Sequence, residues 1–176
     1  MINQKVDVIE DLDGKKIVII NDIRFRGKRN IDWKDVEQYL KVFVGEFYEV
    51  VETADKIYIG PDFPSEVKGS NDTKRLYGTN AKAKANSMQG LPMLISSATD
   101  KRWQSNLKEK HEIDAKNGWY RFTARFALPV YDNETGDIER FNIFRIEMLI
   151  CHAADGKLYL YDLVNIKKET STPHKP

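Results

Sequence analysis

The chain has 176 residues, 41% of them apolar and 31% charged, with 8 Phe, 8 Tyr and 3 Trp; this length and aromatic content favour one compact domain, or one with a small N-terminal appendage, over a disordered chain. A single cysteine excludes a disulfide framework and a cysteine-built zinc site and fits a reducing compartment. No apolar run approaches the roughly 20 residues that span a bilayer, and the opening MINQKVDVIEDLDG has no apolar signal core, so a cytoplasmic protein without cofactor is expected.

In chain order, VDVIED and KKIVIIND flank the turn Asp11-Leu12-Asp13-Gly14 and predict a β-hairpin. Trp33, Val36, Leu40, Phe43 and Val44 recur at three- and four-residue steps, predicting a helix capped by Asn30 or Asp32 and ended by Gly45. FYEVVE and KIYIG predict a second short hairpin, broken at Pro61 and Pro64. Residues 65–79 are polar with little periodicity and read as an exposed loop or subdomain boundary. NAKAKANSM predicts a helix capped by Asn80, and PMLISSAT a further turn or two with Pro92 near its start. Residues 100–116 read as a long basic loop whose one large apolar group is Trp103.

The C-terminal third predicts three strands, GWYRFTARFALPV, RFNIFRIEMLICH and GKLYLYDLVNIK, joined by the turns NETGD and HAADG. Tyr120, Phe122, Ala124, Phe126 and Leu128 alternate with Trp119, Arg121, Thr123 and Arg125. Phe144, Ile146, Met148 and Ile150 alternate with Arg145 and Glu147, and Leu158, Leu160, Val164 and Ile166 oppose Tyr159, Tyr161, Asn165 and Lys167. The expectation is an α+β fold in which helices precede a C-terminal antiparallel sheet with one buried and one polar face. An N-terminal α/β subdomain is expected over 1–64, the main domain over 75–170 and a frayed tail over 171–176, within the ending KKETSTPHKP.

Net charge is +1, but residues 74–125 carry 11 Lys and Arg against 4 Asp and Glu, while residues 1–73 carry 11 against 15. A local positive field of this kind attracts phosphate. On the polar sheet face Arg121, Arg125, Arg145 and Lys167 interleave with Trp119, Tyr159 and Tyr161, and the one acid is Glu147. Guanidinium groups bind phosphates in pairs of hydrogen bonds, and aromatic rings stack unpaired bases. Cross-strand Arg–Glu pairing on a solvated face is the alternative. Beside the face, Lys101, Arg102, Lys108, Lys110 and Lys116 are placed to guide a phosphate backbone. His111, immediately before the first of the three strands, has a side chain that exchanges protons near neutral pH, as metal-free RNA cleavage requires. Cations such as Arg121, Arg125 or Arg145 then stabilise the crowded phosphate. Cys151 and His152 are adjacent, point to opposite faces and make a poor metal pair; Asp11-Leu12-Asp13-Gly14 opens like a calcium loop but lacks the rest of one. No phosphate-binding glycine loop, nucleophile elbow or HExxH occurs.

LPMLISSAT, KHEIDAKNGWYRFTARFALPV and FNIFRIEMLICHAADGKLYLYDLVNIKKET together resemble the domains appended to large polyvalent proteins of phages and conjugative elements, related to barnase–EndoU–colicin–RelE-like nucleases. The resemblance covers roughly residues 75–170 and departs from the usual pattern at Ile150-Cys151-His152, where an Arg before the His is common. It implies a metal-independent ribonuclease fold acting from the open sheet face, with His111, Arg121, Thr123, Arg125, Tyr161 and Lys167 as site residues. Its mobile-element context implies a factor against host defence, such as an anti-CRISPR protein that truncates the guide RNA of a Cas9 ribonucleoprotein. The alternative expectation is a non-catalytic module that binds a host or phage protein through its acidic N-terminal part, with Trp33, Phe47 or Tyr48 as anchors.

Overall fold

The structure, a computed structural model, describes residues 6–27, 30–104 and 118–173. Strands β1 (Val6–Glu10) and β2 (Lys16–Ile20) form the first hairpin. Its turn closes because Asp11 Oδ1 accepts from the main-chain N–H groups of Asp13 and Lys15, at 2.9 Å each, and Gly14 takes a φ of +77°. Helix α1 (Trp33–Leu40) starts where Asp32 accepts from the Lys34 N–H and buries Val36 and Leu40. The second hairpin, β3 (Phe47–Glu49) and β4 (Lys56–Tyr58), follows, then helices α2 (Phe63–Gly69), α3 (Asn71–Arg75), α4 (Gly78–Ser87) and α5 (Leu91–Ser97). Strands β5 (Thr99–Gln104), β6 (Trp119–Tyr131), β7 (Ile138–His152) and β8 (Leu158–Pro173) complete the fold.

Among the described residues the eight strands share one sheet, ordered β1-β2-β6-β7-β8-β4-β3 with β5 also on β6. The fold is mixed α+β. Strands β6, β7 and β8 run antiparallel as expected, whereas β2 joins β6 and β4 joins β8 in parallel. The two N-terminal hairpins therefore build both margins of the sheet that the C-terminal strands centre, and residues 6–58 are not a body apart from it. One sheet face packs Phe122, Phe126, Phe144, Ile146, Met148 and Ile150 against Ala81, Ala85, Met88, Leu91, Leu94 and Ile95 of the helical layer, forming the main core. The small side chains of α4 let it lie close. Its buried Asn86 also binds both the N–H and the C=O of Phe25, at 3.0 Å each, pinning the extended segment after β2.

Four expectations change. Residues 65–79 carry α2, α3 and the start of α4 rather than a loop, since Phe63, Pro64 and Val67 bury one short face and Ser70 caps α3 through the Thr73 N–H. Helix α4 begins at Gly78, so Asn80 lies within it and does not cap it. Residues 99–104 form β5 instead of opening a loop; residues 105–117 lie outside the described residues. The ending is not a frayed tail from 171, because β8 runs to Pro173 and pairs it with Arg140 of β7. Gly118, at the entry to β6, has a φ of +98°, and a Cβ there would stand 2.8 Å from Trp103 Nε1 and 2.9 Å from the Gln104 carbonyl oxygen. Gly118→Ala is therefore expected to cost about 1–3 kcal/mol in chemical denaturation, from backbone strain and overpacking together.

Candidate nucleic-acid interface

Alternation along β6 and β7 turns Arg121, Thr123, Arg125, Arg145 and Glu147 away from the helical layer, as the sequence pattern requires. Glu147 is their centre. Its Oε1 accepts from Arg121 Nη1 at 2.9 Å and from Asn165 Nδ2 at 2.9 Å, and its Oε2 accepts from Arg102 Nη2 at 3.2 Å. Arg102 also donates to Thr123 Oγ1 at 3.2 Å and pairs with Asp100. Partial burial pushes the Glu147 carboxyl up. The hydrogen bonds from Asn165 and Arg121, with the charges of Arg121 and Arg102, outweigh it and hold the group below the ordinary carboxylate range. Arg125 is pinned by Asp11 at 2.6 Å and Glu169 at 3.0 Å. Burial opposes its charge, and the two carboxylates overcome that and raise its affinity for its proton.

Cross-strand pairing therefore does engage Arg102, Arg121 and Arg125. Arg145 and Lys167 differ. Both are exposed, and neither has a carboxylate within ion-pair distance among the described residues. The sheet register places Arg125 opposite Arg145 and Arg145 opposite Lys167, so three cations stand in one row across β6, β7 and β8. Beside Arg125 and Arg145 opens a cleft of about 730 Å³, with Lys15 and Lys16 on its wall and Asp11, Asp100 and Glu169 among its acids.

The remaining candidates divide. Trp119, Cys151, Tyr159 and Tyr161 cluster at the far end of the same sheet, with Tyr161 edge-on to Trp119 at 5.1 Å. Tyr161 is thus grouped with the aromatic end and not with Glu147. The Tyr159 hydroxyl donates to Asp155 at 2.8 Å, and that bond, with some burial, raises its pKa above the usual value. Lys101 is a correction: it pairs with Asp55 at 2.8 Å and sits 4.4 Å over the Tyr120 ring, on the side of β6 opposite Arg121. It does not belong to this face. His111, Lys108, Lys110 and Lys116 lie outside the described residues. Of the expected protein-binding anchors, Trp33 and Tyr48 pack on the core and Phe47 is exposed.

Sequence reasoning missed the roles of Asn165, Asp11 and Glu169 as partners of Glu147 and Arg125. Asn165 has a φ of +56°, where β8 bulges between its pairings to Arg145 and Glu147. Its main-chain N–H donates to Asp72 Oδ1 at 3.1 Å, so a helical carboxylate positions the residue that orients Glu147. A signal exists in the sequence, since Leu163-Val164 puts two apolar residues in succession and breaks the alternation that Leu158 and Leu160 begin. Among the described residues no group of three or more His, Cys, Asp or Glu is gathered to hold a metal, and no helix is long and apolar enough to cross a membrane. Compared with protein-family models, curated proteins and solved structures, the chain matches none at a significant level.

Proposed function

We propose that the chain is an RNA-binding protein of the host cytoplasm that works as a metal-independent endoribonuclease from the outer face of this sheet, in the manner of the barnase and RelE type of arrangement. The observation that carries the reading is the row Arg125–Arg145–Lys167, in which two cations are left without acidic partners among the described residues, beside a fixed third. A row of this kind accepts consecutive phosphates, whereas charges meant only to stabilise a sheet are paired. Cleavage needs one group to take the 2′-hydroxyl proton and another to protonate the 5′ oxygen. Glu147, ionised between Arg102 and Arg121, is fitted to the first role. A phosphate that recruits either guanidinium also loosens its hold on the carboxylate and so raises its basicity. The second role falls to His111 in the segment before β6, and Arg121 stabilises the charge that develops on the phosphoryl oxygens.

The test is incubation of the purified protein with total RNA in EDTA. Discrete new fragments are expected, lost in Arg121→Ala and His111→Ala with folding kept. No fragments from the wild type, or unchanged fragments from both variants, overturns the enzymatic reading. The mobile-element resemblance extends the proposal to a Cas9 guide RNA, and a guide that stays full length in the loaded ribonucleoprotein removes that extension alone.

A further inference from the structure

At the far end of the outer face the sheet register aligns a second row. Phe47 of β3 stands opposite Tyr58 of β4, Tyr58 opposite Tyr159 of β8, Tyr159 opposite Cys151 of β7, and Cys151 opposite Trp119 of β6. The rings touch in series, Phe47 to Tyr58 at 5.3 Å and Tyr58 to Tyr159 at 5.9 Å between centroids. An aromatic ladder alone is ordinary sheet packing. Three features make this one different. It ends in an open ring, Phe47 being 48% exposed, and Tyr58 and Tyr159 are only half-buried. Lys56 and Lys157 stand 5.5 Å and 5.0 Å from the Phe47 and Tyr58 ring centres, and neither has a carboxylate within ion-pair distance among the described residues. A cleft of about 410 Å³ opens beside the ladder, walled by Phe63, Tyr159 and Tyr161, with Asp62 and Glu66 also lining it as acceptors for N–H groups.

The aromatic row lies on the same face as the cation row. Cys151 lies six steps along β7 from Arg145, which is about 20 Å at the rise of an extended strand. Both rows cross the strands, so an extended polynucleotide that leaves Arg125, Arg145 and Lys167 and turns along the strands reaches the rings within a few nucleotides, where lysines meet its backbone again. Flat rings, cations beside two of them and acceptors in the adjoining cleft match an unstacked nucleobase. They do not match a duplex, whose bases are already stacked and turned inward.

We propose that Phe47, Tyr58 and Tyr159 form a stacking subsite for an unpaired base, and that the polynucleotide bound by this face is therefore single-stranded. The inference rests on the phosphate-binding reading above and gives the N-terminal hairpin β3–β4 a part in recognition. Its test is fluorescence anisotropy with three labelled ligands of equal length: a single-stranded oligoribonucleotide, its duplex, and an abasic ribose-phosphate oligomer. The single strand is expected to bind roughly tenfold tighter than the abasic oligomer, the worth of one stacked base. Tyr58→Ala and the surface variant Phe47→Ala each remove most of that advantage, while Arg145→Glu weakens all three ligands together. Equal binding of single-stranded and abasic ligands, or an advantage intact in both aromatic variants, overturns the stacking subsite and leaves the phosphate row standing. Binding of none of the three overturns both.

Discussion

Lys84→Met is expected to destabilise the protein by about 3–5 kcal/mol, a large part of what holds a domain of this size together. The Lys84 side chain is fully buried in α4, with Nζ 2.9 Å from Asp72 Oδ2 and 3.0 Å from Asp162 Oδ1. Removing the ammonium leaves the buried Asp162 carboxylate without a counter-charge and Asp72 with only Arg75, at 3.6 Å. Burial pushes the Asp162 carboxyl up to about 6 even with Lys84 beside it pulling the other way. A carboxyl raised above its unfolded value binds its proton more tightly when folded. Its contribution is therefore whole below about pH 3.8 and lost as the pH climbs through about 6. Without Lys84 that loss steepens, so the variant regains stability on acidification from about pH 7 to about pH 5. Adding Asp162→Asn to Lys84→Met is expected to restore part of the deficit at neutral pH. Urea denaturation of the three proteins at both pH values checks this, and a Lys84→Met protein as stable as the wild type at neutral pH contradicts it.

Reversing Arg145 and Lys167 together, in Arg145→Glu with Lys167→Glu, is expected to weaken single-stranded RNA binding by about ten- to a hundredfold for each phosphate released, the worth of a charge-assisted hydrogen bond. The salt dependence becomes shallower at the same time, by about 0.7 in the slope of log K against log salt for each phosphate no longer neutralised. Stability is expected to stay within about 0.5 kcal/mol of the wild type, because both side chains are exposed and without acidic partners among the described residues. Arg125 makes the poorer probe: Asp11 and Glu169 hold it, so its removal also frees two carboxylates on the same face.

The sequence pattern identified what alternation can report. Three long strands with two chemically distinct faces, both hairpins and α1 are all visible as periodic runs bounded by turn residues. Helices α2 and α3, of 7 and 5 residues, are too short to show a period, and their existence depends on burying Phe63 and Val67 and on the Ser70 cap. The parallel joins β2–β6 and β4–β8 link segments far apart in the chain, which no local pattern records. The cationic face and the alternative of Arg–Glu pairing on it were legible, but the partners supplied by distant elements were not, because Asp11 reaches Arg125 from another hairpin and Arg102 reaches Glu147 from β5. Asn165 was legible as a residue of the polar face, but its hold on Glu147 was not, because it depends on a bulge in β8 that no local pattern records.

The proposed activity requires the outer sheet face to dock a polyanion. Amide chemical-shift mapping during titration with a single-stranded oligoribonucleotide tests it most directly. The shifts are expected to centre on residues 123–125, 145–147 and 165–168, and to spread to Phe47, Tyr58 and Tyr159 if a base stacks there. Shifts confined to helices α1–α5, or none at saturating ligand, contradict it.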